Sequence, residues 1–331
     1  LEADDLLFFA EARLAARDLP AARNALTRTH AAGADPNRFA GALWELEMLA
    51  GNFEQAWRQS DALRRRNAPD PHRFWSGEPI SGKRVIVRCL HGLGDAVMML
   101  RYAPLLRAQA SEVIFEVPPR LLPLAQSFLG IDHVITWGES APASPPAWDL
   151  QVEVMELPYL FRTTLADLPI ATEYLKLDGK QDLGRRTKPR VGIVWSAGDW
   201  NPSRSIPVPM LEPLLRNPGI EFWNLQGKGN AEEAAYLPLR PLPEDGVLPL
   251  ARTIAALDLI ITVDTLAAHL AGALGRPAWL LLQYAADWRW LDRRRDSPWY
   301  PSLELFRQPK PGDWPPVIKR VQQRLDTLMT A

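Results

Sequence analysis

Arg84-Val85-Ile86-Val87-Arg88-Cys89-Leu90-His91-Gly92-Leu93-Gly94-Asp95-Ala96 opens on an apolar run, turns through two glycines and ends on an aspartate where a helical pattern begins. A short, continuous apolar run suits a parallel strand buried on both faces. Glycine lets the backbone turn sharply and approach a ligand closely. The helix that follows presents N–H groups with no partner inside the helix. This is the strand–turn–helix start of an open α/β sheet, whose ligand edge lies at the carboxyl ends of the strands. It is not the dinucleotide fingerprint, because only Gly92 and Gly94 keep the G-x-G spacing and Val97 follows.

Outward from this start, strands and helices alternate. Val113–Val117, His133–Trp137 and Leu150–Val154 read as further strands, with helices over Ala96–Ala108, Leu121–Phe128 and Glu156–Leu165. A charged, unpatterned stretch over residues 178–189 then marks a boundary. The pattern restarts with strands at Val191–Trp195, Ile220–Leu225, Leu257–Val263 and Ala278–Gln283. Helices are expected at Met210–Arg216, Leu250–Ala256, Thr265–Leu274 and Val317–Leu328. Two successive β/α halves argue for two Rossmann-like domains, at residues 73–182 and 183–331.

Upstream, residues 1–72 read as helices. Asp18-Leu19-Pro20-Ala21-Ala22 matches Asn52-Phe53-Glu54-Gln55-Ala56 at an offset of 34, and Asp35-Pro36 matches Asp70-Pro71 at an offset of 35. That period, with an Ala and a closing Pro in step, resembles the tetratricopeptide repeat. An ordinary helical hairpin is the plainer reading of the same residues.

Composition bounds the function. With 38 basic and 39 acidic side chains the net charge is −1, which gives no electrostatic footprint for nucleic acid. Arg293-Arg294-Arg295 lies between Asp292 and Asp296 and reads as a solvated face. One cysteine, Cys89, excludes a disulfide framework and a cysteine-based metal site. No apolar stretch reaches the ~20 residues that span a bilayer. No secretory signal is visible, so a cytoplasmic location is expected.

Four places carry residues suited to chemistry. Asp95, after the glycine turn, suits a general base toward an acceptor hydroxyl, or equally a helix N-cap. His91 and Gly94 flank it. In the second half, Ser196 follows the first strand, and Arg204-Ser205 lies a few residues on, where a guanidinium can fork onto a phosphate. Gln226 and Lys228 end the next strand, with an amide for a base edge and an ammonium for a phosphate. Asp264-Thr265 then starts a helix of small residues whose positive end suits a diphosphate. His269 shares a face with Thr265 at i+4 and reads either as a structural hydrogen-bonder or as a site residue. No Asp-x-Asp element occurs, so neither a metal nor a cofactor is expected.

These motifs, in order, resemble the heptosyltransferase-like glycosyltransferases of family 9, above all bacterial members in which tetratricopeptide repeats come first. The resemblance rests on Gly92-Leu93-Gly94-Asp95 with Arg101-Tyr102, Gly192-Ile193-Val194-Trp195, Arg204-Ser205-Ile206-Pro207, Leu225-Gln226, and Val263-Asp264-Thr265 with His269-Leu270-Ala271-Gly272-Ala273. It extends to Asp287-Trp288-Arg289-Trp290 and Ser297-Pro298-Trp299-Tyr300-Pro301. Leu266 stands where the best-known members carry Gly, and Leu90-His91 where repeat-bearing members carry Glu-Gln.

The resemblance implies a GT-B fold, two Rossmann-like domains facing across a cleft, behind an α-helical module. It implies inverting sugar transfer from a nucleotide-sugar donor in the C-terminal half to a hydroxyl acceptor in the N-terminal half. Asp95 would be the base, and Asp264-Thr265 would hold the donor diphosphate. The repeats suggest a protein acceptor of flagellin or adhesin type, with lipopolysaccharide core as the other candidate. Two other readings share the layout: a nucleotide-sugar epimerase and a catalytically silent repeat scaffold.

Overall fold

The computed structural model describes residues 2–66, 70, 73–138, 141–169, 173–198, 201–226, 235 and 237–330, with side chains as far as 328. The chain forms two compact units. One gathers the chain up to Glu78 with Glu156–Leu168 and Ala285–Arg294; the other holds Pro79–Met155, Pro169–Tyr284 and the chain from Arg295 onward.

The first unit is built on four helices, α1 (Ala3–Ala15), α2 (Leu19–Ala31), α3 (Pro36–Ala50) and α4 (Phe53–Arg66). Local chemistry sets their limits. The Asp18 carboxylate accepts from Ala21 N–H at 3.2 Å at the start of α2. The Asp35 carboxylate accepts from Asn37 and Arg38 N–H at 3.1 and 2.8 Å at the start of α3. Both are N-caps with a proline in the first turn, where the missing N–H costs nothing. Gly51, at φ 80°, ends α3 in the left-handed conformation that favours glycine. Leu7, Leu14, Leu26, Leu46 and Leu49 form the core. α2 and α4 start 34 residues apart, in step with the sequence period.

The two later segments are tied to this unit by specific bonds. Trp57 Nε1 donates to Thr163 O at 2.7 Å. Asp61 accepts from Tyr159 Oη at 2.7 Å and from Arg162 at 2.6 and 3.0 Å. The Trp288 ring stands edge-on to Trp44 and Phe53, at 5.7 and 6.4 Å between centroids. The buried Arg17 guanidinium donates to Ala286 O.

The second unit carries two parallel sheets. The first orders its strands β3-β2-β1-β4, from β1 (Arg84–Arg88), β2 (Glu112–Val117), β3 (His133–Thr136) and β4 (Leu150–Glu153). The second orders them β6-β5-β7-β8-β9, from β5 (Arg190–Val194), β6 (Glu221–Asn224), β7 (Leu259–Val263), β8 (Ala278–Leu282) and β9 (Leu303–Arg307). β5, β7 and β8 are buried at every position, as strands covered on both faces must be. The expected α/β class, two Rossmann-like sheets preceded in the sequence by helices, is what is observed. Strand order reverses beside β1 and again beside β5, which puts a crevice at the carboxyl end of each.

Register is set the same way three times. Asp149, Asp258 and Asp132 each stand immediately before a strand. Each donates its N–H to the neighbouring strand and accepts that strand's N–H on its carboxylate. Asp149 N–H reaches Arg84 O at 2.9 Å and Arg84 N–H returns to Asp149 at 2.8 Å. Asp258 and Arg190 repeat these distances, as do Asp132 and Val113. The loops at the opposite, carboxyl ends are thereby held in fixed relation.

Four expectations need correction. The helices expected over Leu121–Phe128 and Glu156–Leu165 shorten to Leu122–Ala125 and Leu157–Leu160, each after a 3-10 turn. The helix expected over Ala96–Ala108 is three pieces: α5 (Leu93–Met99), a 3-10 turn at Leu100–Tyr102 and a short helix at Ala103–Arg107. Pro104, with no N–H to donate, stands near the break. β9 was not expected at all. It pairs with β8 from Ala278↔Leu303 to Leu282↔Arg307. Its Leu303-Glu304-Leu305-Phe306 is short and interrupted by charge, so it gives no clear strand signal.

Candidate functional site at the carboxyl ends of the two sheets

The glycine turn after β1 delivers the chain into α5. Asp95 is the third residue of that helix, so it is not the N-cap; Gly92 is. The carboxylate reaches back to accept from Gly92 N–H at 3.0 Å. One oxygen of the half-buried side chain is thereby fixed in orientation at the mouth of the turn. His91 is exposed, and its Nε2 lies 3.6 Å from Glu153 at the end of β4.

Gly94 explains why two motifs far apart in sequence meet. A Cβ on Gly94 would stand 2.6 Å from Cδ2 and 3.3 Å from Nε2 of His269. Only a residue without a side chain lets α5 lie this close to the Leu266–Ala273 helix. His269 is buried, and its Nδ1 is 3.0 Å from Tyr300 Oη. Behind it Tyr300 Oη is 3.3 Å from Tyr174 Oη, and Tyr174 donates to Val97 O at 3.0 Å. Burial pushes the Tyr300 hydroxyl well above the usual phenol range. Arg101 is buried among Tyr174, Trp299 and Tyr300, with its guanidinium carbon 4.9, 5.4 and 4.6 Å from their ring centroids. It donates to Met98 O at 2.8 Å, Trp299 O at 2.7 Å and Tyr174 Oη at 3.3 Å. Aromatic faces and carbonyls, rather than a carboxylate, surround this cation among the described residues.

The loop after β5 is shaped by Gln226. Its Oε1 accepts from Trp195 and Ser196 N–H at 3.1 and 2.8 Å, and its Nε2 donates to Ser196 O at 2.8 Å. Both ends of the amide therefore bind backbone. Ser205 Oγ accepts from Ala197 N–H at 3.0 Å and lies 3.5 Å from Ser196 Oγ. Arg204 Nη1 donates to Asp264 O at 2.9 Å, tying this loop to the end of β7. Thr265 is the N-cap of the Leu266–Ala273 helix, and its Oγ1 lies 3.2 Å from Thr262 Oγ1. Lys228 lies outside the described residues.

These loops surround a cleft of about 940 Å³. Leu93, from the turn before Asp95, and Arg120, after β2, come from the first sheet's side. Ser196, Gln226, Thr265 and Leu266 come from the second. The structure thus gathers the glycine turn, the β5 loop and the Asp-Thr helix start at one cavity. Sequence reasoning missed Arg120 and the Asp245–Val247 turn, which also line it. Gly246, at φ 125°, is the N-cap of the Val247–Ala256 helix. A glycine just ahead of an apolar run was the signal available there. Arg120, in a Pro-Arg pair after a strand, offered none.

Among the described residues, no cluster of three or more His, Cys, Asp or Glu side chains is placed to hold a metal ion. No helix is long and apolar enough to cross a membrane.

No family model matches the chain. Protein FlbA of Caulobacter vibrioides is 28% identical over 285 residues, covering 76% of this chain and 48% of FlbA. The chain thus spans about half the length of that curated relative. Among solved structures, the glycosyl transferase family 9 protein of Veillonella parvula superposes with a TM-score of 0.54 at 13% identity, over 77% of this chain and 99% of that one. The ADP-heptose lipopolysaccharide heptosyltransferase II of E. coli gives 0.51 at 15% identity, over 75% and 98%. Two parallel sheets with a cleft at their carboxyl ends, and these superpositions, give the chain the fold of the family 9 glycosyltransferase and heptosyltransferase structures.

Proposed function

We propose that this chain is an inverting glycosyltransferase that moves a sugar from a nucleotide-sugar donor to a hydroxyl acceptor. The observation that carries this reading is the shared cleft. Leu93, on the glycine turn two residues before the Asp95 carboxylate, and Thr265 and Leu266, at the start of a small-residue helix, line one cavity from opposite sheets.

Asp95 takes the proton of the acceptor hydroxyl as its oxygen attacks the anomeric carbon, and the glycosidic bond to the diphosphate breaks. A positioned base contributes roughly 10²–10⁴ in rate. The leaving diphosphate gathers negative charge at the Leu266 helix start, where the helix N–H groups face it. Arg204 and Lys228 are assigned to the same charge, stabilisation that is often the largest catalytic contribution. Ser196, Ser205 and Gln226 shape the donor loop, Asp264 and His269 complete the donor side, and His91 and Gly94 line the acceptor side. No metal or cofactor enters this scheme.

We assign the reaction to the cytoplasm. The acceptor is a bacterial protein of flagellin or adhesin type held by the N-terminal helices, or else lipopolysaccharide core. Deleting residues 1–72 is expected to stop transfer to a protein while donor hydrolysis persists. Unchanged protein transfer would remove the helices from acceptor binding. Incubation with donor alone separates the epimerase: a changed sugar still on its nucleotide, with no acceptor present, would replace the transferase reading.

A further inference from the structure

Strand β2 ends at Val117 and runs into Pro118-Pro119-Arg120-Leu121. The two prolines fix φ at successive positions and stiffen this segment. Pro119–Leu121 is a 3-10 turn, in which Leu121 N–H donates to Pro118 O at 2.8 Å. Leu121 is fully buried and anchors the turn, while Arg120, one residue earlier, is exposed. The turn packs against the Val247–Ala256 helix, which comes from the second sheet's side. Arg120 is thereby held at the cleft on a short, stiff support.

Other arginines of the first sheet are committed to carboxylates. Arg84 lies 3.0 Å from Asp149, Arg88 2.7 Å from Glu116 and Arg107 2.8 Å from Asp132. Arg120 instead lines the cleft, and among the described residues that do so it is the one cation, with Asp245 the one anion. Ser196, Thr265 and Leu266 share the cavity with it, and these belong to the donor side. A helix start offers only about half a positive charge, less than a diphosphate brings. A guanidinium supplies a full charge and forks onto two phosphate oxygens.

We propose that Arg120 is a donor-binding residue whose guanidinium pairs with the diphosphate from the sheet opposite the Leu266 helix start. The assignment rests on the glycosyltransferase reading of the cleft. It adds to Arg204 a cation that arrives from the other sheet, so a bound diphosphate ties the two sheets together and a bare nucleoside does not.

The test is calorimetric titration of the full chain with ADP, UDP, GDP and CMP, and with the corresponding nucleosides. The diphosphate that binds wild type is expected to bind Arg120→Gln roughly ten- to a hundredfold more weakly, the worth of a hydrogen bond to a charged group. Its nucleoside should bind both proteins alike. Arg120→Lys keeps the charge and loses the fork, so its affinity should fall between the two. Equal diphosphate affinity in wild type and folded Arg120→Gln overturns the proposal and leaves the transferase reading standing. An equal loss for the nucleoside does the same, because it places Arg120 on the base or ribose. Binding of CMP and of no diphosphate also overturns the assignment while keeping a nucleotide site. A wild type that binds none of these ligands overturns the donor reading, and Arg120 with it. Phenylglyoxal labelling of wild type, read at Arg120 by mass spectrometry, needs no variant. The diphosphate should protect Arg120 and the nucleoside should not; labelling unchanged by the bound diphosphate overturns the proposal even where Arg120→Gln does not fold.

Discussion

A single methyl group on Gly94 would press into the His269 ring, with its carbon 2.6 Å from Cδ2. Gly94→Ala is therefore expected to cost roughly 1–3 kcal/mol by overpacking, seen as a lower urea midpoint, and to reduce turnover because α5 carries Asp95. A midpoint equal to wild type would show that the helices separate without penalty. Asp95→Asn keeps the shape of the side chain and its bond from Gly92 N–H, but not its basicity. It should bind donor as wild type does and lose roughly 10²–10⁴ in transfer rate, checked by calorimetry beside a turnover assay. Wild-type transfer would remove Asp95 from the base role. Strand–glycine–aspartate order made Gly94 and Asp95 legible as a turn at a ligand edge. That Gly94 lies on His269 was not legible, because periodicity relates residues one helical turn apart and says nothing of helices brought together by two different sheets. The Gln226 amide was read as aimed at a base; its bonds to Trp195 and Ser196 backbone depend on the pairing of β5 with β6.

Among the elements, the aspartates that start β3, β4 and β7 set register, and one of them has a pH signature. Hydrogen bonds from the Arg84 side chain and then from its backbone N–H hold Asp149 down at about 2, from an ordinary 3.8. A carboxylate with a depressed pKa stabilises the fold in its charged form. That contribution is whole above pH 3.8 and is lost as pH falls toward 2. The pair is exposed to solvent, so screening keeps its contribution small. Asp149→Asn should therefore lower the urea midpoint at pH 7 and flatten its decline between those two pH values. An equal acid slope in variant and wild type would contradict this role for the clamp. Most strands were legible because fully buried parallel strands read as apolar runs. β9 was not, because its pairing to β8 comes from the sheet rather than from its own interrupted pattern.

At the scale of the whole molecule, the helical unit is not a simple N-terminal block. Trp288 packs edge-on against Trp44 and Phe53, and the Thr163 carbonyl accepts from Trp57. Removing residues 1–72 strips these partners from two segments that the chain supplies much later. The truncated protein is expected to melt below the full chain and to expose the Trp288 ring, seen as a red shift of tryptophan emission. An unchanged melting temperature would mean that those contacts contribute nothing. The 34-residue period made the helices legible in advance. The return of residues 156–168 and 285–294 to them was not, since no local pattern marks a loop for a distant partner. The central claim is that the cleft between the sheets binds an activated sugar through its nucleoside diphosphate. It is tested most directly by the thermal unfolding of the full chain with ADP, UDP, GDP and CMP, each with its sugar conjugates. One nucleotide should raise the midpoint by several degrees, since ligand at about 100 times its Kd adds about 2.7 kcal/mol, and Arg204→Ala should diminish that rise. A folded protein that none of these ligands stabilises would contradict the account.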